Sequence, residues 1–421
     1  MALFKRRAAR TEDETAQETP EVPRTLPAPP PVDARGRRSV EDQRDYLLSL
    51  VEPLPAFGMY LLDAWGTAVC EDIVSDVLVP ASDLAAVSGY AVRAVDLAGL
   101  QEGMTTTLKL RGDGQVTKMG AAARVSAGAE MPEGADAVLP ASQGLADGDS
   151  LLVDHVVLAG DNVRRAGTEV RPGVPIMQSG QTLDARRSAL LALAGVDRVM
   201  ARPRPRVVVL SLLAHSDDAD AESHLLAAAL KADGAQVWRV ALTVESEREL
   251  RDAIADQLIR ADLVVATGSL DADALLPRVV AGMGLTDTAL VAIEPGEQIG
   301  FGLIGEDEIP LVMLPDDPVA SYVDHQFFVR PLVRKLMGAP VVTTEEIKAL
   351  IGSDMPATGE VTTVSFATMR AQEGEQVVVP LGQGRHLRLL DMVGADAVIV
   401  RAPGSAPVSL GERVRCLRLN D

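Results

Sequence analysis

The chain has 421 residues, of which 47% are hydrophobic, 24% charged and only 3% aromatic, and its formal net charge is −20. This length and apolar content are sufficient for several domains whose cores are filled by aliphatic side chains. The negative charge argues against a nucleic-acid-binding protein, because little in the composition would offset repulsion by the phosphates.

Cysteine and histidine usage excludes further classes of protein. Cys70 and Cys416 are too few for a disulfide scaffold, and the five histidines lack the HxH, HExxH or HxxxH spacing of a metal site. No run of 18 apolar residues occurs, and the first residues do not resemble a secretory signal. We therefore expect a cytoplasmic protein with no transmembrane segment and no metal site of its own.

The first 38 residues differ from the rest by their prolines and mixed charges, and residues 25–32 are typical of a polyproline II linker. The sequence predicts a disordered Pro-rich tail over 1–38. A helix is predicted from Ser39, which can cap it together with Asp42, to about residue 51. Short strand-like runs between Gly, Pro and Asp, such as residues 151–157, then predict a β-rich domain over 71–154.

The pattern changes at Pro205, where strands begin to alternate with helices. Strands are predicted at 206–211, 236–241 and 262–267, and helices at 223–233, 245–261 and 319–337. This alternation predicts a doubly wound α/β domain over 205–338. Residues 339–421 return to strands separated by Gly-rich turns, which predicts a C-terminal β-barrel domain.

Ligands of an open α/β sheet bind at the carboxyl ends of its strands. Four loops are expected there, and their charged residues are all acidic: Asp217, Asp218, Asp271, Asp273, Glu294, Glu297, Asp316 and Asp317. A phosphate site needs glycine-rich backbone amides and cations, and only residues 267–269 meet even the first need. An anion would be repelled, whereas a divalent cation remains an alternative ligand.

Four motifs occur in one order along the chain. Residues 80–93 match P-x-F-D-x-S-A-M-D-G-Y-A-V-R, and residues 120–138 match G-x-A-x-R-I-x-T-G-A-x-x-P-x-G-A-D-A-V. Residues 162–169 match N-I-R-x-x-G-E-D, and residues 314–320 match L-P-G-N-P-V-S. From residue 39 to 420 the sequence resembles the molybdopterin molybdenumtransferase family, which includes the bacterial MoeA proteins and the E domain of gephyrin.

The resemblance implies a homodimer of elongated four-domain protomers. In it, residues 39–70 and 155–204 would form an N-terminal linking domain that carries the β-rich domain as an insertion. The α/β domain would correspond to the molybdopterin-binding domain. The implied activity is insertion of molybdate into adenylylated molybdopterin with Mg²⁺.

Departures from the family pattern fall on the motif positions that face the ligand. The family's catalytic Asp is Ser88, the Thr of T-G-A is Ala127, and the G-E-D acids reduce to Glu169 after Thr168. The S-T-G-D-E turn has become residues 211–215, of which only Ser211 is kept. In the next loop Thr267 and Gly268 begin a shortened stretch, and the family's acid corresponds to Asp271 or Asp273.

The two remaining loops change charge. The family's K-P-G-K-P corresponds to Glu294, Pro295, Gly296, Glu297 and Gln298, so two glutamates stand where lysines would meet a pterin phosphate. L-P-G-N-P has become Leu314-Pro-Asp316-Asp317-Pro318. The scaffold motifs are kept while every loop of one cleft departs from the pattern.

Three functions are compatible with this sequence. The first is a non-catalytic, gephyrin-like dimeric scaffold that needs no cofactor and binds a short peptide of a partner protein, between the α/β domain and the barrel. The second is an active molybdenumtransferase with altered loops, which would use Mg²⁺ and molybdopterin. The third is a carboxylate-rich metal or small-molecule binder. The sequence favours the scaffold.

Overall fold

The structure is a computed structural model that describes residues 25–419 except 113–114, 117, 216–218, 373 and 384–385. The chain divides into two compact units. One comprises residues up to 51 with 206–332 and 343–421, and the other comprises 52–205 with 333–342. Residues 1–24 of the predicted tail lie outside the described residues, and the predicted domain boundaries stay predictions.

The described chain begins with a short strand and a capped helix. The two elements are β1 (Arg37–Arg38) and α1 (Val40–Ser49). The amide of Asp42 donates to the Ser39 hydroxyl, which confirms the predicted helix start, and Leu50 ends the helix. Strand β1 pairs in parallel with residues 290–291.

The unit of residues 52–205 is built mainly from short strands. They are β2 (Phe57–Tyr60), β3 (Ile73–Val74), β4 (Leu84–Ala85), β5 (Gly89–Val92), β6 (Thr106–Leu110), β7 (Ala121–Val125), β8 (Ala137–Pro140), β9 (Gly144–Asp147), β10 (Ser150–Val153), β11 (Val163–Arg164), β12 (Pro175–Met177) and β13 (Arg198–Ala201), with helix α2 (Ala185–Leu193).

Within the described residues, the main sheet of this unit has the order β8-β5-β7-β6-β10-β9. Its core contains Tyr90, Leu108, Leu139 and Leu151. The prediction of a β-rich region is confirmed, but the strand predicted over 151–157 ends at Val153. It ends there because Val153 lies opposite the ends of both neighbouring strands.

The α/β domain follows in chain order. Its elements are β14 (Arg206–Leu212), α3 (Ala221–Ala232), β15 (Gln236–Leu242), α4 (Glu247–Leu258), β16 (Leu263–Thr267), α5 (Leu275–Ala281), β17 (Gly284–Val291), β18 (Ile293–Glu294), β19 (Gln298–Ile304), β20 (Ile309–Leu314), α6 (Pro318–Asp324) and α7 (Arg330–Leu336). A π-helical turn, His325–Val329, joins α6 to α7.

The sheet of this domain has the order β1-β17-β19-β20-β16-β14-β15 in the described residues. Strands β20, β16, β14 and β15 are parallel, while β19 runs antiparallel to both its neighbours. The predicted α/β class is confirmed, and α5 and the antiparallel strands are additions that the sequence pattern did not predict.

The C-terminal region contains β21 (Glu346–Ile351), β22 (Thr362–Gln372), β23 (Glu375–Gln383), α8 (Leu389–Val393), β24 (Ala397–Arg401) and β25 (Arg413–Arg418). Strands β22, β23, β21, β25 and β24 pair in that order and β24 closes on β22. This closed barrel confirms the prediction. In the part of the chain that the structure describes, no helix is long and apolar enough to cross a membrane.

A buried polar network surrounds the π-helical turn. Asp233 lies 2.8 Å from both His325 Nε2 and Arg330 Nε, and the side chains of all three are at least nine-tenths buried. Arg330 Nη1 also donates to Gln326 Oε1 and to Thr344 Oγ1, at 3.1 Å each. The network ties the end of α3 to the 318–336 helix and to the start of the C-terminal region.

We expect Asp233→Asn to lower the free energy of unfolding by about 3 kcal/mol, because it leaves the buried guanidinium group of Arg330 without a carboxylate. Urea denaturation monitored by circular dichroism measures this loss. Asp252→Asn is the matched control, since the Arg248–Asp252 pair is 3.7 Å apart and exposed; it should cost less than about 0.5 kcal/mol. Equal costs for the two variants would contradict a stabilising network.

Candidate functional site

Three parallel strands end side by side at one edge of the α/β sheet. Ser211 lies opposite Thr267, and Thr267 opposite Leu314. The Thr267 hydroxyl donates to Ser211 Oγ at 3.3 Å, and the amide of Gly268 donates to the Leu314 carbonyl at 3.1 Å. Ser211 and Thr267 are buried, so these predicted cleft residues form the base of the edge and do not line its surface.

A pocket of about 330 Å³ lies at this edge. It is lined by the turn of residues 294–298, by Pro315, Asp317, Val319 and Ala320, and by Ile293 and Leu387. Five of the predicted cleft residues therefore come together here: Glu294, Pro295, Gly296, Glu297 and Asp317. Among its described lining residues, three side chains are acidic and none is basic. Glu294 and Glu297 also take part in other polar or electrostatic interactions.

The turn depends on glycine at position 296. Gly296 has a φ of +99°, a backbone conformation that side chains disfavour. A Cβ atom on this residue would lie 2.4 Å from Asp324 Oδ1, closer than any real contact. Both constraints require glycine. The second also shows that the Asp324 carboxyl group points towards the turn.

Asp324 is a site residue that the sequence motifs did not identify. It is fully buried, and neither carboxyl oxygen has a hydrogen-bond partner within the described structure. Burial raises the pKa of this carboxyl group well above its usual range. The signal was available in the sequence, because Asp324 lies next to Val323 and four residues before Phe328, on the buried side of a predicted helix.

Further carboxylates make the surroundings of this edge negative. Asp317 accepts from the amide of Ala320 at 2.7 Å and so caps α6. Burial, and after it the negative charges of Asp220, Asp316 and Asp317, raise the pKa of Glu222.

Arg239 brings a cation to this edge from outside the four predicted loops. Arg239 on β15 lies 3.0 Å from Asp220 and donates to Ser223. Burial alone would raise the pKa of Asp220, but hydrogen bonds from Ser223, Arg239 and Ser211 lower it. Arg239 is therefore already committed to a carboxylate that caps α3.

The remaining predicted residues of the α/β domain do not line the pocket. Asp271 and Asp273 are exposed, and Asp271 hydrogen-bonds within its own loop to Ser269. Asp316 and Pro318 lie beside the pocket without lining it, and Gly268 faces Leu212 and Leu276. Residues 216–218, with the predicted Asp217 and Asp218, lie outside the described residues.

The other three predicted positions belong to the second unit. Ser88 Oγ accepts from the amide of Ala127 at 2.9 Å, so the structure brings these two together. The carboxylate of Glu169 lies 3.9 Å from Arg164, with both side chains about half exposed. Ser88 thus holds a backbone amide at the position where the family pattern has a carboxylate.

Asp324 gives a test of this geometry that needs no ligand. Its raised pKa means that the folded protein keeps a proton that the unfolded chain releases as the pH rises past about 4. Relative to the wild type, Asp324→Asn should therefore gain stability with rising pH, by up to about 1 kcal/mol per pH unit until the folded-state pKa is reached. Urea denaturation from pH 4 to 8 measures the difference.

Asp316→Asn is the matched control for this series, because Asp316 is exposed at the same edge. The control should follow the pH dependence of the wild type closely. A constant difference between Asp324→Asn and the wild type would show that Asp324 is not protonated in the folded protein.

Comparison with known proteins places this site in a family. Residues 38–195 match the MoeA N-terminal region (domain I and II), and residues 207–335 match a probable molybdopterin binding domain. Molybdopterin molybdenumtransferase 1 of Mycobacterium tuberculosis is 31% identical over 419 residues, which cover 90% of this chain and 98% of that protein. Molybdopterin molybdenumtransferase 2 of the same organism is 27% identical over 329 residues, covering 72% and 80%.

Solved structures agree on the fold. The molybdopterin biosynthesis MoeA protein from Pyrococcus horikosii superposes with a TM-score of 0.71 at 22% identity, covering 91% of this chain and 99% of that one. The two matched regions span both units of the chain, and the first relative is matched over nearly its whole length. The chain therefore belongs to the MoeA family of molybdenum cofactor biosynthesis.

Proposed function

We propose that this member of the MoeA family is a dimeric scaffold that binds a segment of a partner protein and does not transfer molybdenum. The observation that carries the proposal is the lining of the pocket at the sheet edge, where Glu294, Glu297 and Asp317 meet. In this proposal the pocket corresponds to the family's ligand cleft, and its acidic residues reverse the charge that the family pattern has there.

Adenylylated molybdopterin and molybdate are anions and do not fit these residues. Two glutamates replace the lysines of the family's K-P-G-K-P turn, and Asp317 replaces a neutral Asn. At a protein surface, each unit charge a few ångströms from a phosphate contributes about 1–4 kcal/mol. Several such contributions with an unfavourable sign would abolish binding at cellular concentrations.

The described carboxylates also give no support for a magnesium site. Among the described residues, no three His, Cys, Asp or Glu side chains are grouped closely enough to hold a metal ion. Mg²⁺ prefers octahedral oxygen ligands or bridges a protein carboxylate to a bound phosphate. Because the pocket disfavours the phosphate, the metal-dependent reaction of the family has no support here.

A second feature supports peptide binding. A groove between the α/β domain and the C-terminal barrel is lined by Arg44, Gln326, Phe327, Pro331, Thr343, Thr344, Glu346 and Leu417. It combines an aromatic ring and aliphatic surface with charges of both signs, and its volume of about 40 Å³ leaves room for part of one side chain of a bound segment. In the dimer that we propose, two copies of this groove would make binding bivalent.

The alternative is an active molybdopterin molybdenumtransferase. It is favoured by the 31% identity, over nearly the whole length, to a protein that carries this name. Binding of the nucleotide part of the substrate distinguishes the two functions.

We expect isothermal titration calorimetry with AMP to show no binding to the wild type at low salt, where attraction would be least screened. The double variant Glu294→Lys, Glu297→Lys should bind AMP measurably, because two repulsive charges become attractive. A double variant with exposed acids replaced elsewhere, Glu247→Lys with Asp252→Lys, controls for net charge. Micromolar binding of AMP by the wild type would contradict the scaffold and favour the transferase.

We expect light scattering to give a mass of about twice 44.4 kDa, because closed twofold dimers are the commonest assemblies of identical chains. The measurement should be repeated over a wide range of protein concentration. A monomer at every concentration would remove the bivalency that the proposed scaffold requires.

A further inference from the structure

We propose that the pocket at the sheet edge binds the guanidinium or ammonium group of a partner's basic side chain, with Asp324 as its buried counter-ion. The inference rests on the proposed function, since it names the chemistry that the scaffold would recognise at this pocket. Three observations lead to it. They are the negative charge of the pocket lining, the absence of a hydrogen-bond partner for Asp324 within the described residues, and the position of the Gly296 turn next to both Asp324 and the pocket.

The described residues of the pocket lining carry negative charge. Glu294, Glu297 and Asp317 line the pocket, and Asp316 and Glu222 add to the same field. Low-dielectric walls lined by one sign of charge concentrate ions of the opposite sign. The volume of about 330 Å³ is at the lower end of the range for small-molecule sites, so one side chain is a suitable occupant.

Asp324 supplies the observation that points to a ligand. Buried polar groups in folded proteins are nearly always hydrogen-bonded, and one without a partner costs about 1–3 kcal/mol. Both oxygens of Asp324 lack a partner within the described residues, although the carboxyl group is completely buried. Its neighbour His325 differs in that the carboxylate of Asp233 lies 2.8 Å from its Nε2 atom. The unmet acceptors of Asp324 match the donors that a basic side chain carries.

The Gly296 turn lies next to both this carboxyl group and the pocket. Asp324 Oδ1 lies 2.4 Å from the position that a Cβ atom on Gly296 would occupy, and Gly296 itself lines the pocket. A small displacement of a glycine turn that bears no side chain at this point therefore brings the carboxyl group into contact with the pocket. The planar guanidinium group, with five N–H donors, matches a carboxylate in two parallel hydrogen bonds.

Binding would change the protonation of Asp324. The titratable groups on the elements packed against α6 are Glu222, His224 and Lys231 on α3, Asp391 on α8, Glu294 and Glu297 on the turn, and His325 on the π-helical turn. None of these is a cause of the raised pKa of Asp324, which burial alone produces. A cation paired with this carboxyl group stabilises its charged form, so its proton passes to the solvent as the ligand binds.

The test is calorimetry of the full chain with N-acetyl-arginine amide at low salt. N-acetyl-citrulline amide, which has nearly the same shape without the charge, is the control ligand. We expect the arginine compound to bind at least tenfold more tightly than the citrulline compound. Titrations in two buffers with different ionisation enthalpies should show release of about one proton per site below the folded-state pKa of Asp324.

Two variants separate the roles of the carboxylates. Asp324→Asn, which keeps the shape of the side chain, should lose about tenfold in affinity together with the proton release. Glu294→Gln with Glu297→Gln should weaken binding and keep the proton release. Thermal unfolding by circular dichroism establishes that each variant is folded, and Asp252→Asn should match the wild type in every titration.

Equal binding of the two amides, no binding at millimolar concentration, or proton release that survives in Asp324→Asn would overturn the inference. Failure here is distinguishable from failure of the proposed function. If neither AMP nor the arginine compound binds, the scaffold stands and this ligand is wrong. If AMP binds and the arginine compound does not, both proposals fall.

Discussion

Burial of the helical stretch from Pro318 to Leu336 determines how the rest of the site is arranged. Val319, Val323, Phe328 and Val329 are all buried, so the rotation of this stretch is fixed by its apolar side chains. That rotation carries Asp324 and His325 into the interior, because they lie between the buried positions. Two adjacent titratable residues are thus buried by the packing of their neighbours.

The two buried residues differ in whether a charged side chain lies next to them. His325 meets Asp233 at the end of α3, and the same carboxylate holds Arg330. The charges of Arg330 and Asp233 compensate one another, as buried charges must. Asp324 has no such partner among the residues that the structure describes, and its carboxyl group lies against Gly296, the residue of the turn that lacks a side chain. The shape of the pocket floor therefore follows from the packing of the helix.

Much of this could be predicted from the sequence. The alternation of strands and helices after Pro205 and the Gly-separated strands after residue 340 predict the α/β domain and the barrel, because these patterns depend on local burial. The charge of the pocket was also predictable, since Glu294, Glu297 and Asp317 belong to loops that follow strands. Side chains that reach the edge from other parts of the chain, such as Arg239, are identified only by the structure. The loop motifs do not include them, because they are distant in sequence.

Sequence spacing also does not determine which of the predicted cleft residues are buried, which line the pocket and which are exposed. Ser211 is the last residue but one of β14 and Thr267 is the last residue of β16, so both remain within the sheet, where the Thr267 hydroxyl donates to Ser211 Oγ. Asp271 and Asp273 lie a few residues further on and extend into solvent. Position after a strand indicates which edge a residue reaches, whereas lining a pocket depends on loop length and direction, which sequence spacing alone does not determine.

The same helical stretch lines both candidate binding surfaces. Val319 and Ala320 line the acidic pocket near its start, while Gln326, Phe327 and Pro331 line the groove against the barrel. Arg330 connects them, because it is held by Asp233 and in turn holds Gln326 and Thr344 of the groove. A substitution in this network therefore alters the support of the groove and the packing next to Asp324 together. Glu294 and Glu297 line the pocket alone and Arg44 lines the groove alone, so binding defects of variants at these residues can be assigned to a single surface.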